Sequence, residues 1–312
     1  MKILTKFSRP YDVRLPQTSS TALQAVYLLE GMRPKQWTKN FLVGAALLFS
    51  GHIVDLDYVF KTLAAFFAFS FTASALYLIN DIVDLSKDRA HPIKKKRPLA
   101  SGRLNPTVTK AGIGILLMIT ITVCFFLNLN FVAVIIAYFV LTLLYTFILK
   151  NIVIVDVVTI AIGFVLRAVA GAVVIEVEIS RWLLLCTTFL ALFLVLCKRR
   201  HELILLGENG STHRRTLGEY STAFLDQMVG IVTASTVMSY ALYTTSAETV
   251  AKFGTNNLIF TLPFVLYGIF QYLYLVHQRN LGGSPEMALL KDKGTIINLI
   301  LYILTLIFII YF

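Results

Sequence analysis

The residues best suited to chemistry lie between Asn80 and Arg103, in the run NDIVDLSKDRAHPIKKKRPLASGR. Asn80, Asp84 and Asp88 recur every four residues, and Asp81 precedes Asp84 by three. On a helix this spacing puts all four side chains on one face. Three carboxylates so close repel one another unless a cation lies between them, and Mg2+ is typically held by one or two protein carboxylates while phosphates and water complete its shell. The spacing therefore predicts a diphosphate-handling metal site of Asn80, Asp81, Asp84 and Asp88. Downstream, Arg89, His91, Lys94, Lys95, Lys96, Arg97 and Arg103 are placed to neutralise phosphate oxygens that the metal does not reach. A basic run alone is equally explained as a charged loop that fixes membrane orientation. The ordered acids ahead of it favour the chemical reading.

The segment Asn80-Asp81-x-x-Asp84-x-x-x-Asp88 resembles the first aspartate-rich motif of the UbiA superfamily of intramembrane prenyltransferases. Its continuation, Arg89-x-His91-Pro92-x-Lys94-x-x-Arg97-Pro98-Leu99-Ala100-Ser101-Gly102, is similar to the motif in one branch, the polyprenyl-phosphate (decaprenyl-type) phosphoribosyltransferases. Arg33-Pro34-Lys35-Gln36-Trp37-x-Lys39-Asn40 resembles the start of the same branch and makes Arg33, Lys35 and Lys39 second-rank phosphate-binding candidates. An interfacial anchor of Trp and cations explains that stretch as well. The resemblance also places Tyr145 and Lys150 beside the active site, although a snorkelling lysine fits equally. Where most prenyl-transferring relatives carry a second aspartate motif, this chain has Lys198-Arg199-Arg200-His201-Glu202, then Arg214-Arg215 and Glu219-Tyr220-Ser221. That pattern looks like the phosphoribosyltransferase branch, and Lys198, Arg199, Glu202 and Tyr220 become candidates, with a positive-inside loop as the alternative explanation of the basic residues.

These residues need a scaffold. With 312 residues, 57% hydrophobic, and a mean hydropathy of +0.76, the chain is too apolar for an ordinary soluble domain and reads as all-α and polytopic. A spanning helix needs about 20 apolar residues, and nine segments qualify, near 37–54, 59–80, 107–127, 131–149, 152–175, 182–199, 222–246, 256–277 and 294–311. With the N-terminus inside, 24 of the 28 Lys and Arg fall at or next to inner loops. That bias predicts a cytoplasmic N-terminus, an external C-terminus and a cytoplasm-facing aspartate motif in the inner membrane. Residues 1–20 read as a polar leader with no cleavable signal peptide, and 21–312 as one transmembrane catalytic domain. The net charge of +11 lies on short loops, which suits phosphates and anionic lipid heads, and no nucleic-acid motif is apparent.

Asp156 and Arg167, eleven residues apart in the fifth segment, fall roughly on one helical face. Arg167 suits packing or a pocket wall. Asp226 is expected to face the cavity, and Glu286 and Asp292 to help hold a Gly-Pro turn near the site. Cys124, Cys186 and Cys197 lack ligand spacing and read as packing residues.

Taken whole, the resemblance implies a nine-helix UbiA-type bundle around a cavity open to cytoplasm and lipid. It implies a Mg2+-dependent, glycosyltransferase-type enzyme (EC 2.4.2) whose partners are 5-phosphoribosyl 1-diphosphate and a polyprenyl phosphate. The product would be polyprenyl-phosphoryl-5-phosphoribose, a precursor of an arabinose donor for the cell envelope. Prenyl transfer to an aromatic acceptor is the enzymatic alternative, and a membrane transporter the alternative of another class. Lipid length and homo-oligomerisation stay open at this point.

Overall fold

The computed structural model describes residues 20–179, 181–206, 215–279, 282–283 and 291–311. Nearly all of the expected leader, together with Arg214 and Glu286, lies outside these. Among the described residues the regular structure is helical throughout. Helix α1 (Thr21–Met32) leads through Arg33 into a 3-10 stretch, Pro34–Gly44, and the single turn α2 (Ala45–Leu48). The long α3 (Leu56–Val83) is followed by α4 (Leu85–Ala90) and a 3-10 turn at Lys94–Lys96. Next come α5 (Pro106–Phe125), α6 (Leu129–Phe147), α7 (Val155–Val174) and α8 (Arg181–Leu206). Helices α9 (Thr222–Thr245), α10 (Ala247–Phe253), α11 (Leu262–Gln278) and α12 (Lys293–Tyr311) complete the order.

Seven of these units are long and apolar enough to cross a membrane: α3, α5, α6, α7, α8, α11 with its 3-10 lead, and α12. The sequence led us to expect nine. The first expected span, 37–54, is instead the 3-10 stretch and the short α2. Its uninterrupted apolar run begins only at Phe41 and ends at Phe49, too short to span, and Asn40 is buried with its amide donating to Ser70 Oγ at 3.0 Å. The seventh, α9, forms as a 24-residue helix, but Asp226, Gln227 and repeated Ser and Thr interrupt its apolar run. Lys198–Glu202, expected to run from the end of the sixth span into an inner loop, all form part of the last turns of α8.

Capping residues set several starts. Asn105 and Asn128 accept from backbone N–H groups in the first turns of α5 and α6, at 2.8 Å each. Asn128 also donates to Val173 O of α7 at 2.8 Å, tying two helix ends together. Inside the bundle, hydroxyls of Thr72, Thr120, Thr142, Thr146 and Thr159 donate to carbonyls four residues back, which satisfies polar groups in apolar helices.

Two apolar cores flank a central cavity. One joins α3, α6 and α7 around Phe69, which lies 5.1 Å from the Tyr138 ring and 6.0 Å from Phe131. The other joins α8, α9 and α11 around Phe193 and Tyr272, with ring centroids 5.6 Å apart. The stretch carrying Val43 packs directly on α7 at Gly171, where an added Cβ would lie 1.9 Å from the Val43 carbonyl oxygen. Gly171→Ala must therefore move backbone, and thermal unfolding in detergent should show a loss of about 3 kcal/mol. At Gly112 the same test meets only the tip of Leu28, so Gly112→Ala should cost clearly less.

Candidate active site

The cavity has a volume of about 1650 Å3. Most of its charged lining gathers where the C-terminal ends of α3, α6 and α8 meet the α6–α7 connection and the start of the 3-10 stretch. Much of the remaining wall is apolar or aromatic, including Phe164, Trp182, Tyr240, Tyr243 and Tyr302. It offers an anion-binding end and a hydrocarbon-lined body.

The aspartate run does not hold one helical face. Helix α3 stops at Asp84, its C-cap at φ −95° and ψ 13°, and α4 begins at Leu85. The break separates the four residues into two sets. Asn80 and Asp84 line the cavity, and both Asp84 oxygens accept from Lys150 Nζ, at 2.8 and 2.7 Å. Asp81 and Asp88 are each only 3% exposed and share Arg97, whose Nη1 donates to Asp81 Oδ1 at 3.0 Å and also to Asp88 Oδ2. Asp81 takes a further short hydrogen bond from Arg33.

Arg33 occupies the left-handed region, φ 57°, and its guanidinium lies 4.9 Å over the Tyr77 ring. Burial lowers its pKa from the ordinary guanidinium value while Asp81 beside it works the other way, and an arginine stays charged under that balance. Guanidinium and ammonium groups thus occupy the acids from behind and beside.

The other expected residues divide by whether they reach the cavity. Lys39, Lys94, Arg97, Tyr145, Lys150, Lys198, Arg199 and Glu202 all line it. Lys35 and Arg89 do not: Lys35 is exposed, and Arg89 Nε donates to Ala100 O at 3.3 Å. Nor does His91, whose Nδ1 accepts from the backbone N–H of Ile93 and Lys94 at 3.1 and 3.3 Å. That nitrogen carries no proton there, and the ring shapes the turn that presents Lys94. Tyr220 is buried behind the wall, donating to Asp156 Oδ1 at 2.8 Å. Asp226 lies elsewhere, paired with Arg200 and lining a separate groove between α9 and α11. Asp292 accepts from the Thr295 N–H at 2.7 Å at the head of α12.

Asp156 and Arg167 are held by different partners, and Arg167 lines the cavity as one of its expected roles required. Arg199, 1% exposed, donates through Nε to Asp156 at 2.9 Å, through Nη1 to Glu202 and through Nη2 to Tyr145 Oη at 3.2 Å. Arg167 donates to Asn40 Oδ1 at 2.8 Å, Gly163 O at 2.6 Å and Tyr138 Oη at 2.8 Å. The roles of Asn40, Tyr77 and Tyr138 were not read from sequence, although an arginine inside a span implies some acceptor at its own depth.

Among the described residues no three Asp, Glu, His or Cys side chains converge as a metal cluster. The donors that the aspartate run turns to the cavity are nevertheless hard oxygens, one carboxylate and one carboxamide, with two more carboxylates directly behind. This set suits Mg2+ held partly by protein and partly by substrate phosphates.

A model of the UbiA prenyltransferase family matches residues 40–288. The decaprenyl-phosphate phosphoribosyltransferase of Mycolicibacterium smegmatis is 31% identical over 281 residues, 85% of this chain and 86% of that protein. The enzyme of the same description from Corynebacterium glutamicum is 35% identical over 272 residues, 85% of this chain and 81% of its own. Among solved structures, a UbiA homologue from Archaeoglobus fulgidus bound to DMAPP and Mg2+ superposes with a TM-score of 0.65 at 19% identity, covering 91% of this chain and 99% of that one. With seven helices among the described residues able to cross a membrane, the chain is an integral membrane protein and a member of the UbiA prenyltransferase family.

Proposed function

We propose that this protein transfers a 5-phosphoribosyl group from 5-phosphoribosyl 1-diphosphate to a polyprenyl phosphate, giving polyprenyl-phosphoryl-5-phosphoribose and diphosphate. The observation that carries the reading is the charge of the cavity wall, where nine Lys and Arg stand against four Asp and Glu. Two substrates that both bring phosphate require such an excess. In place of a second aspartate motif the wall presents Lys198, Arg199 and Glu202. The substrates of the relatives described as decaprenyl-phosphate phosphoribosyltransferases support the same assignment.

Asn80 and Asp84, with Asp81 and Asp88 behind them, would hold Mg2+, which when bound supplies charge neutralisation for the departing diphosphate. Lys94 and Arg97 on one wall, with Lys150, Lys198 and Arg199 on the others, hold the two anions so that their phosphates stay apart while C1 of the ribose and a lipid phosphate oxygen meet. That oxygen forms the new bond to C1 as the bond from C1 to the diphosphate oxygen breaks, and diphosphate leaves with the electron pair. The attacking phosphate is already an anion and needs no general base, in keeping with a His91 ring turned to the backbone. The apolar body of the cavity takes the polyprenyl chain. The Lys and Arg bias supports an N-terminus inside, with the charged end of the cavity facing the cytoplasm.

Purified protein with both substrates and Mg2+ should release diphosphate only when both are present, and excess chelator should reduce the rate at least a hundredfold. Release from a prenyl diphosphate with an aromatic acceptor instead would assign the other branch of the family.

A further inference from the structure

The connection between α6 and α7 carries Lys150 to Asp84, and it contains a backbone feature that its sequence does not announce. Ile154 sits at φ 68° and ψ −45°, and Val155 N–H donates to Val153 O at 2.8 Å, which makes a γ-turn of the strained hand. For a β-branched residue a positive φ is an outlier that persists only where surrounding contacts enforce it. The Ile154 side chain, 55% exposed, supplies little of that enforcement.

Its backbone N–H does, by donating to Tyr220 Oη at 2.7 Å. Tyr220 in turn donates to Asp156 Oδ1 at 2.8 Å, Asp156 Oδ2 accepts from Arg199 Nε at 2.9 Å, and Arg199 Nη2 donates to Tyr145 Oη at 3.2 Å. One buried chain of hydrogen bonds therefore grips the connection at both ends, Tyr145 before it and Ile154 after it, with Lys150 between. Burial, together with the Asp156 hydrogen bond, pushes the Tyr220 phenol up to about 12, so it remains a donor at ordinary pH.

We infer that Tyr220 is a positioning residue: its hydroxyl holds the strained turn at Ile154 and thereby fixes Lys150 against Asp84 for binding of the phosphoribosyl donor. This rests on the activity proposed above. It reassigns Tyr220, which stands behind the cavity wall and acts on the substrate through other residues. Because Lys150 is the element set in place, the expected effect falls on donor affinity and spares the polyprenyl phosphate.

Tyr220→Phe keeps the ring and its stacking on Phe224 and removes only the hydroxyl, which takes away the side-chain acceptor of the Ile154 N–H and one donor to a buried carboxylate. Donor KM should rise about tenfold, with kcat and the lipid KM within about twofold of wild type. Adding Ile154→Gly, which adopts positive φ without steric cost, should bring donor KM back to within about threefold of wild type. Amide exchange of the 149–155 peptide should quicken about tenfold in Tyr220→Phe and slow again in the double variant. An unchanged donor KM, equal damage to both KM values, or a glycine that restores neither reading would overturn the inference. The exchange arm needs no turnover. If the wild-type protein fails to transfer phosphoribose while exchange behaves as described, the activity assignment falls and the turn-holding role of Tyr220 stands.

Discussion

Asp84→Asn should leave a folded protein whose transfer rate is about a thousandfold lower, close to 4 kcal/mol of lost transition-state stabilisation. Asp84 is the one carboxylate of the aspartate run that lines the cavity, and its side chain is 17% exposed, so the amide meets no closed core that would reject it. The substitution removes a charged oxygen donor and leaves Lys150 without its bidentate partner. Removing one element of such preorganised electrostatics costs about a hundred- to a thousandfold in other enzymes, and a metal ligand stands at the upper end. Asp226→Asn is the matched control, because Asp226 pairs with Arg200 outside the cavity. Its rate should stay within about twofold of wild type. The check is steady-state transfer beside gel filtration and thermal unfolding of both variants.

The second large effect is on stability. Arg199→Met should cost roughly 3–5 kcal/mol, because it removes the guanidinium paired with Asp156, a carboxylate that is 0% exposed. Arg199→Lys should rescue little, since one ammonium cannot reproduce a planar fork that reaches Asp156, Glu202 and Tyr145 in three directions. Arg199→Met combined with Asp156→Leu should recover most of the loss, as replacement of a whole buried pair by apolar groups often does. Thermal unfolding in one detergent, with the three variants side by side, reads this out. A double variant no more stable than Arg199→Met would show that Asp156 is not the charge that matters.

The parts of this fold legible in the sequence are those governed by local chemistry. Long uninterrupted apolar runs gave α3, α5, α6, α7 and α12 nearly to their ends. The stretch after Pro34 was misread because an apolar run can be counted while its partner cannot: Val43 lies against Gly171, 128 positions away, and that close approach shapes the segment. The aspartates show the same division. Their spacing identified the acids, but helical periodicity alone could not reveal that the helix would stop at Asp84, where Lys150 from another connection takes both oxygens. Asp156 and Arg167 were legible as charges on one helical face, but not their side-chain partners, which lie on other elements. The turn at Ile154 is not legible, since Ile-Val-Ile-Val reads as regular structure and the side chain that takes up the Ile154 N–H, Tyr220, lies 66 residues on.

The most direct test of the central claim is transfer of radiolabel from ribose-labelled 5-phosphoribosyl 1-diphosphate into organic-extractable lipid by purified protein with polyprenyl phosphate and Mg2+. We expect label in the lipid fraction that depends on the polyprenyl phosphate, disappears with chelator and disappears in Asp84→Asn. Label that stays in the aqueous phase under all conditions, with activity instead on a prenyl diphosphate and an aromatic acceptor, would contradict the phosphoribosyl assignment.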